Sequence, residues 1–283
     1  MIQKGKTYLI TGGTGIVGVA LCDRIINLGG NLVVLSRNKS KLDKLKQKYK
    51  NIKVISGDIS NSILVKQAME GVDGIFHLAA LAQGMQSGKP TESINTNILG
   101  SINILKESLN KNLDFVLGIS SDKAVQISGV YGATKFLMEK LFLEFEDLNP
   151  KTNYRIVRLG NVIYSVDSVL YKWKNLIQKE KELIITDPNA TRFWISVDES
   201  IDIIIECLQQ SKNSTPYYRL MKSSTMGDLL KAMILNYSPN NTKILIKTIG
   251  LQPGENQHEK ISNTVPSSDQ ATQYNIKELI QLI

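Results

Sequence analysis

At 283 residues, with 42% hydrophobic and 21% charged residues, the composition is that of a soluble globular protein, not a disordered or collagen-like chain. At roughly 100–200 residues per domain, this length makes one large domain or one domain with a smaller appendage. The balance of 34 Lys and Arg against 26 Asp and Glu gives a formal charge of +8. The lysines are scattered over helical segments such as Lys39 to Lys50 and do not alternate with aromatic residues, so neither nucleic acid nor membrane is an expected partner. Two cysteines, Cys22 and Cys207, exclude a disulfide scaffold and a cysteine zinc cluster, and read as reduced core thiols. No run approaches the roughly 18 apolar residues of a membrane span, and the N-terminus has no secretory apolar region, so a cytoplasmic location is expected.

In chain order, β-branched runs alternate with helical patterns. Strands are predicted at Thr7 to Thr11, Asn31 to Ser36, Ile52 to Ser56, Gly74 to Leu78, Phe115 to Ser120 and Arg155 to Leu159. Helices are predicted at Ile16 to Leu28, Lys41 to Tyr49, Ile63 to Met69, Ile94 to Asn110 and Tyr131 to Leu148. Strands that are continuously apolar are covered on both faces, so the fold class is α/β, a Rossmann-like doubly wound parallel sheet. Beyond Gly160 the rhythm changes. A helix at Ser168 to Lys179, a strand at Leu183 to Thr186, helices at Val197 to Gln210 and Met226 to Leu235, strands at Tyr217 to Met221 and Ile244 to Thr248, and a last helix at Ile276 to Leu282 are predicted. The expected organisation is a nucleotide-binding domain over 1–163, to which 195–221 returns, with 164–194 and 222–283 forming a smaller substrate-binding lid.

The first strand runs into Thr11-Gly12-Gly13-Thr14-Gly15-Ile16-Val17-Gly18 and then a helix. Gly12 permits the tight turn, Gly15 lets backbone approach a pyrophosphate, and Gly18 lets helix pack on sheet, while the helix N-terminus favours the anion. Thr11, Gly12, Thr14, Gly15 and Ile16 are therefore expected to hold a dinucleotide. The second strand ends Ser36-Arg37 with no acid to accept from a ribose 2′-hydroxyl, and the arginine suits a 2′-phosphate, so NADP is expected over NAD. Asp58 and Ile59 after the third strand are placed for the adenine, Asp58 serving equally as a helix N-cap. Ala79 and Ala80 after the fourth strand are small enough for the cofactor to lie against backbone.

Tyr131 and Lys135, four apart on a helix, share one face. A nearby ammonium favours phenolate and is expected to pull the tyrosine below its reference pKa of about 10, making a base near neutrality. Ser120-Ser121-Asp122-Lys123 lies at the C-terminal edge of the fifth strand, where open α/β sheets bind ligands. His77 reads as a core histidine. No metal centre is expected from two histidines, and no nucleophile elbow supports hydrolase chemistry.

The glycine cradle with Tyr131 and Lys135 resembles the extended short-chain dehydrogenase/reductases. Ser121-Asp122-Lys123-Ala124 with Val130-Tyr131-Gly132-Ala133-Thr134-Lys135 is similar to the signature of the inverting UDP-N-acetylglucosamine 4,6-dehydratases, a polysaccharide biosynthesis protein family. Arg158-Leu159-Gly160-Asn161-Val162, Ile185 to Ile195 with Thr191-Arg192-Phe193-Trp194, and Pro253-Gly254-Glu255 with His258-Glu259 extend the likeness over nearly the whole chain. The resemblance implies an NADP-dependent lyase with an internal redox cycle. Tyr131 takes the proton of the sugar 4-hydroxyl, Lys123 acts as base at carbon 5, Asp122 protonates the departing 6-hydroxyl, and Lys135 assists. It further implies that Asn97 and Val162 complete the cofactor site and that Ser121, Asn161, Ser168, Val169, Arg192 and Glu255 bind the UDP-sugar, Arg192 at the diphosphate or else as a salt bridge between parts. A homo-oligomer is implied as well.

The chain departs from that pattern in three ways. Ala82 stands where the family carries a lysine, Val166 and Asp167 stand where it carries an arginine and a glycine, and the C-terminus is short. Two alternatives therefore stay open: another nucleotide-sugar epimerase or 4-keto reductase, and a non-catalytic NADP-binding homologue.

Overall fold

The computed structural model describes residues 2–50, 52–81, 89–165, 168–238 and 244–283. Six parallel strands, β1 (Thr7–Thr11), β2 (Asn31–Ser36), β3 (Ile52–Ser56), β4 (Gly74–His77), β5 (Phe115–Ser121) and β6 (Asn153–Leu159), lie in the order β3-β2-β1-β4-β5-β6. The order reverses between β1 and β4, and a crevice opens there at the C-terminal strand ends. Successive residues of each strand enter opposite cores. Tyr8 and Ile10 of β1 pack with Leu21, Cys22 and Ile25 of α1 (Ile16–Asn27), Leu42 and Leu45 of α2 (Lys39–Lys48), and Ile204 and Cys207 of a later helix, whereas Leu9 between them joins Val65, Ile104, Leu105, Met138 and Phe142 on the other face. Burial pushes the thiols of Cys22 and Cys207 up to about 12, so both stay protonated packing groups.

The second face is built by α3 (Ser62–Ala68), α4 (Pro90–Ser93) continuing through a π-helical segment Ile94–Leu99 into α5 (Gly100–Ser108), and α6 (Val130–Leu148). The expected helix at Ile94 to Asn110 thus starts earlier, at Pro90, whose fixed φ and missing N–H suit a first helical position. It also carries a wide π turn around Asn97. A one-turn helix Asp122–Ala124 links β5 to α6, and Gly132 lets α6 start against it, since a Cβ there would lie 2.3 Å from the Lys123 carbonyl oxygen.

Beyond β6 come β7 (Asn161–Val162), α7 (Val169–Gln178), β8 (Leu183–Ile185), β9 (Thr191–Ile195), α8 (Val197–Gln210), β10 (Ser223–Thr225), α9 (Met226–Tyr237), β11 (Ile246–Thr248) and α10 (Ile276–Leu282). A Ser196–Glu199 capping box starts α8, which packs on the α1 face of the large sheet. β7, β9 and β10 form one small sheet and β8 with β11 another. Here the structure corrects two expectations. The strand expected at Tyr217 to Met221 is a single bridge between Tyr217 and Val157, and β9 and β10, unforeseen, form the floor beneath α7 and α9. A separate apolar cluster of Leu170, Trp173, Ile177, Trp194, Leu229, Met233 and Leu279 holds this smaller part together. Among the described residues no helix is long and apolar enough to cross a membrane.

Candidate active site

Two adjoining cavities of about 270 and 580 Å³ run along the crevice. The smaller is lined by Gly12, Thr14, Gly15, Ser36, Arg37, Asp58, Ile59, Ala79 and Ala80, together with Asn38, Lys41 and Thr96. Gly12 adopts φ +70°, and a Cβ there would fall 2.8 Å from the Ala79 backbone, so the cradle requires glycine twice over. No side chain caps the first turn of α1 at its N-cap Gly15, and a Cβ at Gly15 would meet only the Gly12 carbonyl, at 3.6 Å. First-turn amides thus border space wide enough for a pyrophosphate. These features fit a dinucleotide. Thr14 Oγ1 and Ser36 Oγ lie 2.7 Å apart, and Arg37, 55% exposed, has Nη1 3.7 Å from Asp58 Oδ2. Asp58 also accepts from the Ser60 amide in a local turn, while the N-cap of α3 is Asn61 and not Asp58 as the alternative expectation had it. Lys41 and Asn38 were not foreseen at this rim; the basic start of α2 directly after Arg37 is the signal that could have found them.

Beneath the cradle a polar chain fixes its walls. Ser101 Oγ donates to the Asn97 carbonyl (2.6 Å), so it accepts from His77 Nε2 (2.9 Å); His77 Nδ1 then accepts from Thr11 Oγ1 (2.8 Å), which in turn accepts from the Ala79 amide. Burial pulls His77 down to about 3, so it stays neutral in this chain. Thr11 is buried in this network. Asn97 is buried too: its Oδ1 accepts from the Leu81 amide and its Nδ2 donates to the Leu81 carbonyl and to Thr134 Oγ1, pinning the end of β4 to α6.

The larger cavity is lined by Ile16, Ser121, Asp122, Lys123, Tyr131, Lys135, Asn161, Val162, Ser168 and Val169, and also by Trp194 and Gly254. Ser121 Oγ donates to Asp122 Oδ1 (2.7 Å), and Lys123 Nζ donates to Asp122 Oδ2 (3.1 Å). A carboxylate that the sequence quoted without a role, Glu259, brings Oε1 to 3.0 Å from the same Nζ. Lys135 Nζ sits 5.9 Å from the Tyr131 ring centroid but donates to the Ile119 carbonyl (2.6 Å).

Burial is the main cause that lowers Lys135 to about 8, with Glu139 pulling it back up. The expectation of a depressed Tyr131 is corrected: burial first, then the Asp122 carboxylate, push the phenol up, and its hydrogen bond with Ser121 offsets this only in part. The spacing of four puts the residues on one face, but the ammonium is turned to a main-chain carbonyl.

The structure brings together all the expected residues except four, Thr11, Asn97, Arg192 and Glu255, which line neither cavity. Arg192 is buried: its Nη1 donates to the Thr191 (2.8 Å) and Gln257 (3.1 Å) carbonyls, and its Nε lies 3.7 Å from Glu259 Oε1. Glu255 Oε2 accepts from the Gln252 amide within its own turn, while its neighbour Gly254 lines the cavity. Asn97 acts on backbone as described. Asn161 Nδ2 donates to the Phe193 carbonyl. Two buried donors on the wall have no hydrogen-bond partner among the described residues, Ser168 Oγ at the start of α7 and the indole Nε1 of Trp194. Trp194 is only 4% exposed; an aromatic residue carrying an N–H between Phe193 and Ile195 was its signal. Ala82, Val166 and Asp167, the departures noted above, lie outside the described residues.

Comparison with known proteins places this geometry in context. The family described as "Polysaccharide biosynthesis protein" matches residues 8–281. A relative named UDP-glucose 4-epimerase from Rickettsia canadensis (strain McKiel) is 35% identical over 277 residues, spanning 94% of this chain and 79% of that protein. The crystal structure of Pen from Bacillus thuringiensis superposes with a TM-score of 0.92 at 28% identity, covering 100% of this chain and 99% of that one. DesIV, a dTDP-glucose 4,6-dehydratase from Streptomyces venezuelae solved with NAD and TYD bound, has a TM-score of 0.81 at 16% identity over 98% of this chain and 95% of that one, a likeness of fold.

Proposed function

The chain belongs to the polysaccharide biosynthesis protein family of extended short-chain dehydrogenase/reductases, and from that premise we propose that it dehydrates UDP-N-acetylglucosamine across carbons 4 to 6, inverting carbon 5. At the coarser level it is an enzyme of the nucleotide-sugar epimerase/dehydratase type that uses a nicotinamide dinucleotide and a nucleotide-sugar substrate. The observation that carries the finer reading is the contact of Asp122 and Lys123 at the cavity wall, because 4-epimerisation needs neither an acid nor a base beyond the tyrosine.

The dinucleotide is held by the glycine turn, with Ser36, Arg37 and Lys41 around the adenosine end, where two cations and no acid at the end of β2 favour NADP. Held by this cradle, a nicotinamide dinucleotide would accept hydride from carbon 4 and return it to carbon 6. Tyr131 holds the proton of the 4-hydroxyl. With the 4-ketone formed, Lys123 takes the proton of carbon 5 and Asp122 gives its proton to the 6-hydroxyl, which leaves as water. Reaching the reactive protonation state needs no outside donor. Neutral Lys123 beside protonated Asp122 and the observed ammonium–carboxylate pair contain the same protons, and the 3.1 Å hydrogen bond is the path between the two forms. A solvent-derived proton reaches carbon 5 from the face opposite Lys123 and inverts it, and Lys123 and Tyr131 then release their protons while Asp122 regains one. Ser121, Asn161, Ser168 and Val169 form the sugar-nucleotide wall, joined by Trp194, whose unpaired indole N–H and the unpaired Ser168 hydroxyl at the start of α7 are donors for substrate oxygens. Arg192 is fixed by the Thr191 and Gln257 carbonyls, and Glu255 caps its own turn beside Gly254 of that wall.

The second reading, a UDP-sugar 4-epimerase, is favoured by the name of the Rickettsia relative. Proton NMR of UDP-N-acetylglucosamine incubated in heavy water with the enzyme and NADP separates the two. A new methyl resonance with deuterium at carbon 5 supports dehydration, whereas a galacto-configured product retaining its carbon 6 hydroxyl supports the epimerase.

A further inference from the structure

Glu259 is the most deeply buried carboxylate near the reactive wall, at 0% exposure, and nothing in the chemistry above uses it. It arrives from a segment remote in sequence from β5 and α6, and it is held rigidly. Its amide donates to Ser268 Oγ (2.8 Å), its carbonyl accepts from the Ser268 amide (2.8 Å), and its Oε2 accepts from Asn256 Nδ2 (3.2 Å). Asn256 Nδ2 also donates to the Gln126 carbonyl (2.9 Å), which ties this segment to the stretch between Lys123 and α6. Oε1 makes no hydrogen bond of good direction, yet it lies 3.0 Å from Lys123 Nζ and 3.7 Å from Arg192 Nε. A carboxylate oxygen buried in this way is costly unless charge opposes it.

The charged groups facing Lys123 are therefore Asp122 on its own turn and Glu259 from the remote segment, with Arg192 of β9 on the far side of Glu259 and the Tyr131 phenol of α6 lining the same cavity. We propose that Glu259 is the positioning residue of the carbon 5 base: it holds Lys123 Nζ at the cavity wall and stabilises the ammonium formed when Lys123 takes the proton. The inference rests on the dehydratase reading above and deepens it. In the step concerned, the C5–H bond breaks, its electrons pass into the enolate of the 4-ketone, and an N–H bond forms on Lys123. The positive charge appears 3.0 Å from Glu259, while Asp122, having given its proton to the leaving hydroxyl, becomes a second carboxylate 3.1 Å away. A base oriented by a third, non-reacting group is a recurring catalytic arrangement.

Arg192 has a part in this. Burial pushes the Glu259 carboxyl up, and the cations Lys123 and Arg192 pull it back against Asp122. Before proton transfer Lys123 is neutral, and Arg192 is the remaining cation beside the Glu259 carboxyl. Its guanidinium is fixed for this by the Thr191 and Gln257 carbonyls.

The test uses Glu259→Gln, Asp122→Asn and the double variant in the full-length protein. Competitive acetylation with trace acetic anhydride across a pH series, read by mass spectrometry with exposed Lys140 as internal reference, reports the amine of Lys123 without any turnover. A carboxylate in contact favours the ammonium, so Glu259→Gln is expected to raise Lys123 labelling about tenfold or more at pH values where the amine is mostly protonated. Asp122→Asn alone leaves the amine partly suppressed, and the double variant labels most. In parallel, deuterium uptake at carbon 5 of the UDP-sugar falls about tenfold or more in Glu259→Gln while reduced-cofactor formation persists. Equal labelling of Lys123 in wild type and Glu259→Gln overturns the proposal, and a melting temperature for each variant separates this from failure to fold. A wild type that shows Glu259-dependent labelling but takes up no deuterium at carbon 5 refutes the dehydratase reading and the catalytic half of the inference together, leaving the ion-pair geometry intact.

Discussion

Behind the reactive face, Glu139 of α6 is buried against Arg158 of β6. Arg158 Nε (2.8 Å) and Ser120 Oγ (2.6 Å) donate to its Oε1, and Arg158 Nη2 donates to Oε2 (2.7 Å). Arg158 Nη1 in turn donates to the Ile261 carbonyl (3.1 Å), so the pair clasps the C-terminal segment to the sheet. Replacing Glu139 with Gln keeps the shape but leaves a buried guanidinium facing an amide, and breaking such a pair costs about 3–5 kcal/mol. At about 2 °C per kcal/mol for a chain of this size, Tm should fall by about 6–10 °C in a calorimetric scan. The double variant Glu139→Met with Arg158→Met removes both charges. It should recover most of the loss, short by the about 1–3 kcal/mol of the Ser120 hydroxyl left without its acceptor. An E139Q protein melting within about 1 °C of wild type would show that the pair contributes nothing of that order and refute the reasoning. The same change should reach the active site. Glu139 is the charge that holds Lys135 up against burial, so its removal drives Lys135 below about 8 and reduces the ammonium available near neutrality.

Neutral His77 adds a pH dependence. Its folded value of about 3 lies below the unfolded 6.5, so the unfolded chain binds the extra proton between those values; this stability is fully present above pH 6.5 and is lost as pH falls towards 3. At pH 4.5 the loss from this group reaches about 3 kcal/mol, and urea unfolding of His77→Asn should show a correspondingly smaller fall between pH 7.5 and 4.5. Gly12→Ala sets a Cβ 2.8 Å from the Ala79 backbone at a φ of +70°, so the purified variant should lose dinucleotide binding by fluorescence titration. Trp194→Phe removes the indole N–H together with part of the ring; it should raise KM for the UDP-sugar several-fold with little change in kcat, and an unchanged KM would contradict its role as a donor. Arg37→Ala should weaken NADP binding about tenfold or more while changing NAD binding little, as measured by calorimetric titration.

The large sheet is legible in the sequence because its strands are apolar without alternation and its helices are punctuated locally, as at Ser196–Glu199, where a capping box fixes the start of α8. The glycine turn and the Asp122-Lys123 and Tyr131–Lys135 spacings are also local. What stayed hidden depends on remote partners. β9 carries Arg192 as its second residue, and among the described residues that charge meets the Thr191 and Gln257 carbonyls and Glu259, so its five residues do not read as a buried strand. The π turn follows from Asn97, whose side chain is claimed by Leu81 and Thr134. The protonation of Tyr131 reversed the expectation because helical spacing reveals which groups are near, whereas burial, which outweighs them here, is a property of the whole fold. Glu259 meets Lys123 only once the C-terminal segment closes over the cavity.

The central claim is that Lys123 removes the carbon 5 proton of a nucleotide sugar oxidised at carbon 4. The most direct measurement is deuterium incorporation at carbon 5 of UDP-N-acetylglucosamine in heavy water, wild type against Lys123→Ala, with reduced nicotinamide followed by its near-ultraviolet absorbance in the same samples. The account predicts a deuterated 6-deoxy-4-keto product from wild type, and in Lys123→Ala reduced cofactor without deuterium at carbon 5. Deuterium uptake undiminished in Lys123→Ala, or a wild type that interconverts the carbon 4 epimers and leaves carbon 5 fully protonated, would contradict it.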